Sequence, residues 1–581
     1  MLRPLSALLV LAVTACARPA PAQPLPAEWP YRGARAATSS RAMVVSDSAL
    51  ATQVGLDVLA AGGNSVDAAV ATAFALAVTY PEAGNLGGGG FAVVRLLGGE
   101  KAAIDFREMA PAAATRDMYL DAQGNPTKES LDGHRASGVP GSVAGLHALH
   151  QRFGRLPWRD VVAPAIRLAR DGFRVEPNTA AAIAKARERL ARVPATAELL
   201  LPGGRPREAG TIWKNAELAA ALERIADRGP AGFYSGETAA LLVAEMKRGG
   251  GLITEADLAA YQPKWRDPLV VSYRGHELIS MPPPSSGGIC IAMIARLLEA
   301  YDLRALGWHS AKHISLVAEA ERLAFVDRNA YLADPDFQPW PKRLLSDEYL
   351  AQRRKTIVLG KATPSANVGP GLREGNHTTH LAVVDEAGGA VALTTTINQL
   401  FGSAVSVPGG GFLLNNEMDD FTAKPGAPNL AGLVQGEANA IAPGKRMLSA
   451  MSPTIIVGRD RRVLMIAGGR GGSRIISATF QVISNVLDFG MTVEQAVAAP
   501  RVHMQHLPDE LRFETGGFDQ KTLGELAAMG YRLVGERPIG SSPAILRRGD
   551  VWTGLGDPRK DGAAAGLPSR SGKGRAGGAG K

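Results

Sequence analysis

The chain has 581 residues, enough for a large core or several domains, and its 46% hydrophobic and 20% charged content suits a globular protein rather than a disordered or fibrous one. Its net charge of +9 is inflated by the C-terminal end, where Lys560, Arg570, Lys573, Arg575 and Lys581 face Asp561 alone. No Lys/Arg block is interleaved with aromatics, so nucleic-acid binding has little support.

Residues 1–15 read as an export signal. Arg3 supplies the positive start, and Leu5–Val13 is an apolar run too short to span a bilayer. Val13-Thr14-Ala15-Cys16 resembles a bacterial lipoprotein box, which implies cleavage before Cys16 and lipid on its thiol. The alternative is a plain secretory signal cut near Ala22-Gln23. Either way the expected location is the periplasm, with or without a membrane anchor. Residues 16–38 carry five prolines (Pro19, Pro21, Pro24, Pro26, Pro30) and read as an extended tether. With Cys16 in the leader, Cys290 has no partner for a disulfide. His309/His313 and His147/His150 share helix faces, yet no His-Glu-x-x-His pattern occurs, so no metal and no cofactor is expected.

Ser48–Ala61 reads as a helix ended by Gly62-Gly63, and Asn64 caps a second apolar helix reaching about Tyr80. The Gly-rich stretch 84–90 follows a helix and precedes a strand, Phe91–Leu97. That is the reverse of a phosphate-binding order, so it predicts a turn packed on other backbone. A strand over Ala102–Phe106 leads to Arg107, which could clamp a substrate carboxylate or pair with a local acid. From Gly138 to about Lys355 the pattern is mostly helical, with 3.6-residue periodicity over Ala216–Ala226, Glu237–Lys247 and His309–Asp327. The turn at residues 282–288 interrupts it before a helix over Ile289–Tyr301. Ser286 in that turn lacks the Gly-x-Ser-x-Gly setting of a serine nucleophile. Lys361–Asn376 is polar and reads as an exposed linker.

That linker meets Asn376-His377-Thr378-Thr379-His380, which runs straight into a strand ending at Val384. A cut between His377 and Thr378 would leave Thr378 with a free amine beside its hydroxyl. From these residues alone Thr379 serves as well. Ala390–Thr396 is the partner strand across a turn at residues 385–389. The stretch 411–421 gathers Asn415, Asn416, Glu417, Asp419 and Asp420, and residues 425–436 form a Pro/Gly/Asn loop. Thr454–Val457 and Val463–Ala467 make another hairpin. Gly468–Ser473 then opens a helix over Arg474–Leu487, and its successive glycine N–H groups suit an anion or oxyanion. Thr492 and Gln495 form a capping box. Residues 561–581 read as a disordered basic tail.

From about Met43 to Asp557 the chain resembles the bacterial gamma-glutamyltranspeptidases. The resemblance rests on residues 84–91, 105–111, 378–384, 413–421, 445–453 and 471–475. It implies an α+β fold, the four-layer αββα sandwich of the N-terminal nucleophile hydrolases, autocleaved into a large subunit, 39–377, and a small one, 378–560. Thr378 would attack the γ-amide of glutathione or another γ-glutamyl compound and pass the acyl group to water or to an amino acid or dipeptide. Thr396 would orient Thr378, and Gly471 and Gly472 would form the oxyanion hole. Arg107 and Ser449 would hold the substrate carboxylate, and Asn398, Glu417 and Asp420 its ammonium.

The chain departs from the family pattern in four places. Ala450 stands for a second serine, Glu417 for a glutamine, Arg470 for a proline, and Ala431 for an aromatic residue in the 425–436 lid. Two other readings stay open: a cephalosporin- or glutaryl-type acylase of the same fold, and an inactive surface binder of γ-glutamyl compounds.

Overall fold

A computed structural model describes residues 25–368, 378–424, 436–560 and 562–569. Two seven-stranded sheets stack at its centre. One runs, in spatial order, Ala563–Gly566, Met43–Ser46, Thr378–Val384, Ala390–Thr396, Gly89–Arg95, Lys101–Phe106 and Lys264–Arg266. The other runs Ala37–Ser39, Val551–Leu555, Ala544–Arg548, Val463–Ala467, Thr454–Val457, His276–Ser280 and Leu269–Tyr273. Every neighbouring pair within both sheets is antiparallel.

The period-two alternation of the central strands sorts their side chains into layers. Leu381, Val383, Val391 and Leu393 face an outer helical layer, packing with Val70, Phe74 and Leu146. Ala382, Val384, Ala390 and Ala392 face inward, against Ile279, Ile455, Ile466 and Ile545 of the other sheet. That second sheet turns Leu278, Ile456 and Met465 to its own helices, Gly287–Leu298, Ala311–Tyr331 and Arg474–Leu487. The result is the expected αββα order. The Ser65–Thr79 helix is buried along its whole length, and Asn64 and Asp67 close its start with a reciprocal capping box. Such a helix survives in the interior because its own ladder satisfies the backbone and its side chains are mostly small and apolar.

Four expectations need correction. The region expected to be mostly helical also contains the strands from Lys264 to Ser280, which complete both sheets. Their patterns are short and half-exposed, so periodicity hid them. The tether does not run free to residue 38: Trp29 is buried, its Nε1 donates to Ala498 O at 2.6 Å, and Ala37–Ser39 adds a strand. The linker from Lys361 is not wholly exposed, because Ser365 is buried and its Oγ donates to His506 O at 2.6 Å. The tail is not disordered from 561, because Ala563–Gly566 pairs with Met43–Ser46 and supplies the hydrogen bonds that strand's open edge lacks. Residues 1–24, including Cys16, lie outside the described residues, as do 369–377 with His377, 425–435 with Ala431, and 570–581.

Candidate active site

Thr378 begins the Thr378–Val384 strand and sits directly opposite Thr396, the last residue of the neighbouring strand. Seven consecutive pairs fix that register, and a slip of one residue would turn every apolar side chain to the wrong layer. Thr379 therefore points the other way, where its Oγ1 donates to Asp47 Oδ2 at 2.9 Å. That contact separates two residues the sequence left equivalent.

The stretch 84–90 is the closely packed turn its composition predicts. A Cβ on Gly88 would lie 2.1 Å from Thr396 O, and Asn85 Nδ2 donates to that oxygen at 2.9 Å. Just beyond Thr396 the chain turns at Asn398, whose positive φ of 69° lets its N–H donate to Thr396 Oγ1 at 2.8 Å. Asn398 Nδ2 reaches Asn416 O at 3.0 Å, and Asn415 Oδ1 accepts from the N–H of Glu417 at 3.0 Å. These amides hold the acidic turn beside the strand ends.

One cleft gathers Thr378, Thr396, Asn398, Arg107, Glu417, Asp420, Ser449 and Gly472, and adds Ala450, Met451 and Ile475. Arg107 is fully buried where the Lys101–Phe106 strand ends. Its Nη1 lies 2.6 Å from Glu417 Oε2 and 3.4 Å from Glu108 Oε2, and its Nη2 pairs with Asp420. The backbone beneath it is fixed, since Tyr261 donates to Arg107 O at 2.8 Å and Asp105 Oδ1 accepts from its N–H at 3.0 Å. The two readings of Arg107 are thus compatible: the acids it pairs with belong to the same cleft. Only about 20 Å³ of room remains between these closed ion pairs.

Three buried carboxylates around one guanidinium cannot all stay charged without a large desolvation cost. Burial pushes Glu417 well above the ordinary carboxylate range and raises Asp420. It lifts Glu108 to about 7, against the pull of Arg107. The cluster therefore holds a proton near neutral pH. Glu108 was missed in the sequence as a member of this cluster, although it stands next to Arg107 in the quoted stretch.

Ser449 is set by the cis-proline turn at residues 282–288: its N–H donates to Pro284 O at 2.8 Å, and its carbonyl accepts from Ser286 N at 2.7 Å. Ser286 Oγ also donates to that carbonyl and accepts from Arg328 Nε at 2.7 Å, so its hydroxyl is committed to structure. Gly471 and Gly472 have φ of 123° and 61°, and a Cβ on Gly471 would fall 2.8 Å from Gly540 Cα. Among the described residues, no backbone carbonyl accepts from either N–H. Gly472 lines the cleft, whereas Gly471 lines a cavity on the other side of the turn. Arg470 points away from the cleft toward Asp47 and lies over the Tyr80 ring. Among the described residues no group of His, Cys, Asp and Glu could hold a metal ion.

The profile of the gamma-glutamyltranspeptidase family matches residues 51–567. The chain belongs to this family. It is 47% identical over 529 residues to a glutathione hydrolase proenzyme of Escherichia coli (strain K12), covering 90% of this chain and 91% of that one. A second relative, the acylase ACY 1 proenzyme of Pseudomonas sp. (strain V22), is 38% identical, with 90% and 93% covered. Among solved structures, a cephalosporin acylase from Bacillus halodurans superposes with a TM-score of 0.81 at 28% identity, covering 94% of this chain and 99% of that one. The sandwich is that of the N-terminal nucleophile hydrolases.

Proposed function

We propose that this family member is a γ-glutamyltransferase and glutathione hydrolase that uses Thr378 as its nucleophile once the His377–Thr378 bond is cut. The observation that carries the reading is the placement of Thr378, opposite Thr396 and in one cleft with Arg107, Glu417 and Asp420. Cleavage converts the Thr378 amide nitrogen into an amine that titrates near pH ~8 and can accept the hydroxyl proton. The uncut chain has no such base, so it is inactive on external substrate.

Thr378 Oγ then attacks the γ-carbonyl carbon while the amine takes its proton. The carbonyl oxygen becomes an oxyanion held by the N–H groups of Gly471 and Gly472. As the C–N bond breaks, the leaving amine takes the proton back, and a γ-glutamyl ester remains on Thr378. Water or an amino acid or peptide amine repeats the steps in reverse and frees the enzyme. Thr396 accepts from the Asn398 N–H and helps orient Thr378.

Substrate recognition is an exchange of partners. The glutamyl α-carboxylate takes Arg107 and Ser449, and the α-ammonium takes Asn398, Glu417 and Asp420. Closed ion pairs are replaced by substrate ion pairs, and the shared proton leaves as the ammonium arrives. The acylase reading lacks this match, because a glutaryl group brings no ammonium to Glu417 and Asp420. Glutamyl and glutaryl anilides offered to the processed protein test it. Release from the glutamyl compound is expected to dominate, and equal or reversed rates would overturn the reading.

The reading includes export to the periplasm, with lipid on Cys16 where the lipoprotein box is used. Among the described residues no helix is long and apolar enough to cross a membrane. The two subunits stay together as a heterodimer, because strands of both interleave in the same two sheets.

A further inference from the structure

A cavity of about 220 Å³ on the far side of the Gly471–Gly472 turn plays no part in the steps above. Its cationic walls come from four separate places. Lys185 ends the Pro177–Lys185 helix, Arg470 precedes the glycine turn, Arg474 starts the following helix, and Lys560 lies between the strands Val551–Leu555 and Ala563–Gly566. The single acid in the wall, Glu536, is committed to Arg474, with Nη2–Oε2 at 3.0 Å, and to Arg512 at 2.6 Å.

Arg470 faces Asp47 at 3.8 Å, and Asp47 Oδ2 already accepts from Thr379. The Arg470 Nη1 atom is buried and has no hydrogen-bond partner, although its side chain is only 4% exposed. Lys560 feels the pull of Asp47 and Glu82 at longer range, and among the described residues neither it nor Lys185 makes a direct ion pair. Burial and the neighbouring cations lower the pKa of Lys560, and burial lowers that of Arg470, so both gain from an anion placed between them.

Gly472 faces the glutamyl cleft and Gly471 faces this cavity, so one turn separates the two spaces. On the γ-glutamyl reading the glutamyl group fills the cleft with its scissile carbonyl at this turn, so the portion beyond the nitrogen begins beside the cavity. We propose that this cavity receives that portion and selects for one bearing two carboxylates, an acidic amino acid or a peptide with an acidic residue next to the γ-glutamyl bond. The proposal rests on the γ-glutamyl reading above and names the partner class of the same site. Two lysines without a direct ion pair and an open guanidinium donor match two carboxylates, and a partner with one carboxylate leaves a lysine unmatched.

The test compares γ-glutamyl-glutamate with γ-glutamyl-alanine on the processed full-length protein, by kcat/KM and by equilibrium binding titration. The acidic compound is expected to be favoured about tenfold in both, with the ratio falling as salt is added. Lys185→Met with Lys560→Met is expected to bring the ratio close to one. Lys185→Glu alone, at an exposed position, is expected to lower it severalfold. Equal values in the unaltered protein, or a ratio that survives these substitutions, would overturn the inference. The titration decides it without turnover, whereas failure to release a γ-glutamyl anilide would count against the enzymatic reading instead.

Discussion

The nucleophile and the charges that would hold its substrate are neighbours in space but are built in opposite ways. Thr378 and Thr396 are placed by strand register, and that register is enforced by apolar layers on both faces of the sheet. Arg107 follows a strand end, Glu417 and Asp420 share a short helical turn, and the three are held mainly by one another and by backbone amides. The first arrangement is fixed by packing that involves no substrate. The second closes on itself and must open to admit a zwitterion. On the proposed reading, orientation belongs to the sheet and selectivity to the loops.

Substitutions can break this contrast one side at a time. The largest effect is expected at Thr378→Ala, which removes the nucleophile while leaving strand register intact. Gel electrophoresis should show a single uncut chain, and activity should fall by about 10⁴-fold or more; a processed, active variant would refute the role of Thr378. Next is Arg107→Lys, which keeps the charge and loses the two-pronged geometry. It is expected to cut kcat/KM for a γ-glutamyl anilide by about 10²- to 10³-fold while processing continues, because the nucleophile side is untouched.

A smaller effect is expected at Asp420→Asn. The preference for glutamyl over glutaryl anilide should shrink by roughly tenfold, measured as a ratio of kcat/KM values, since the ammonium loses one acid. An unchanged ratio would remove Asp420 from the ammonium site.

The smallest lies away from both regions. Glu321 is buried, accepts from the Met504 N–H at 2.8 Å, and is pushed up to about 8 by burial. A carboxyl raised in the folded state favours folding fully below its ordinary value near 4.5, and that contribution is lost as pH rises through about 8. Thermal melts should therefore show Tm declining between pH 5 and 9, with Glu321→Gln flattening the decline by a few degrees. Identical slopes would refute it.

The sequence disclosed the rigid side more fully than the adaptable one. Alternation marks the strands at 378–384 and 390–396, and caps at Asn64 and Thr492 mark helix starts that the structure shares. The strands from Lys264 to Ser280 escaped because segments of three to five residues, partly exposed, carry little periodicity. Ala563–Gly566 escaped because four small residues say nothing until an open strand edge is beside them. Resemblance named Arg107, Glu417 and Asp420, but no pattern of spacing reveals that an arginine and acids over 300 positions away lie in contact. Glu108 was overlooked for a related reason: its burial in the cluster depends on segments distant in the chain. Arg470 stands where the family pattern has a proline, and the fold turns it toward Asp47 and the second cavity.

The central claim is that the chain is cut to expose Thr378. Intact-mass spectrometry of the purified protein, followed by sequencing of the smaller chain's N-terminus, tests it directly. The account predicts two chains whose masses meet at the His377–Thr378 bond, the smaller one beginning Thr-Thr-His-Leu. A single uncut chain in active protein, or a smaller chain beginning at any other residue, would contradict it.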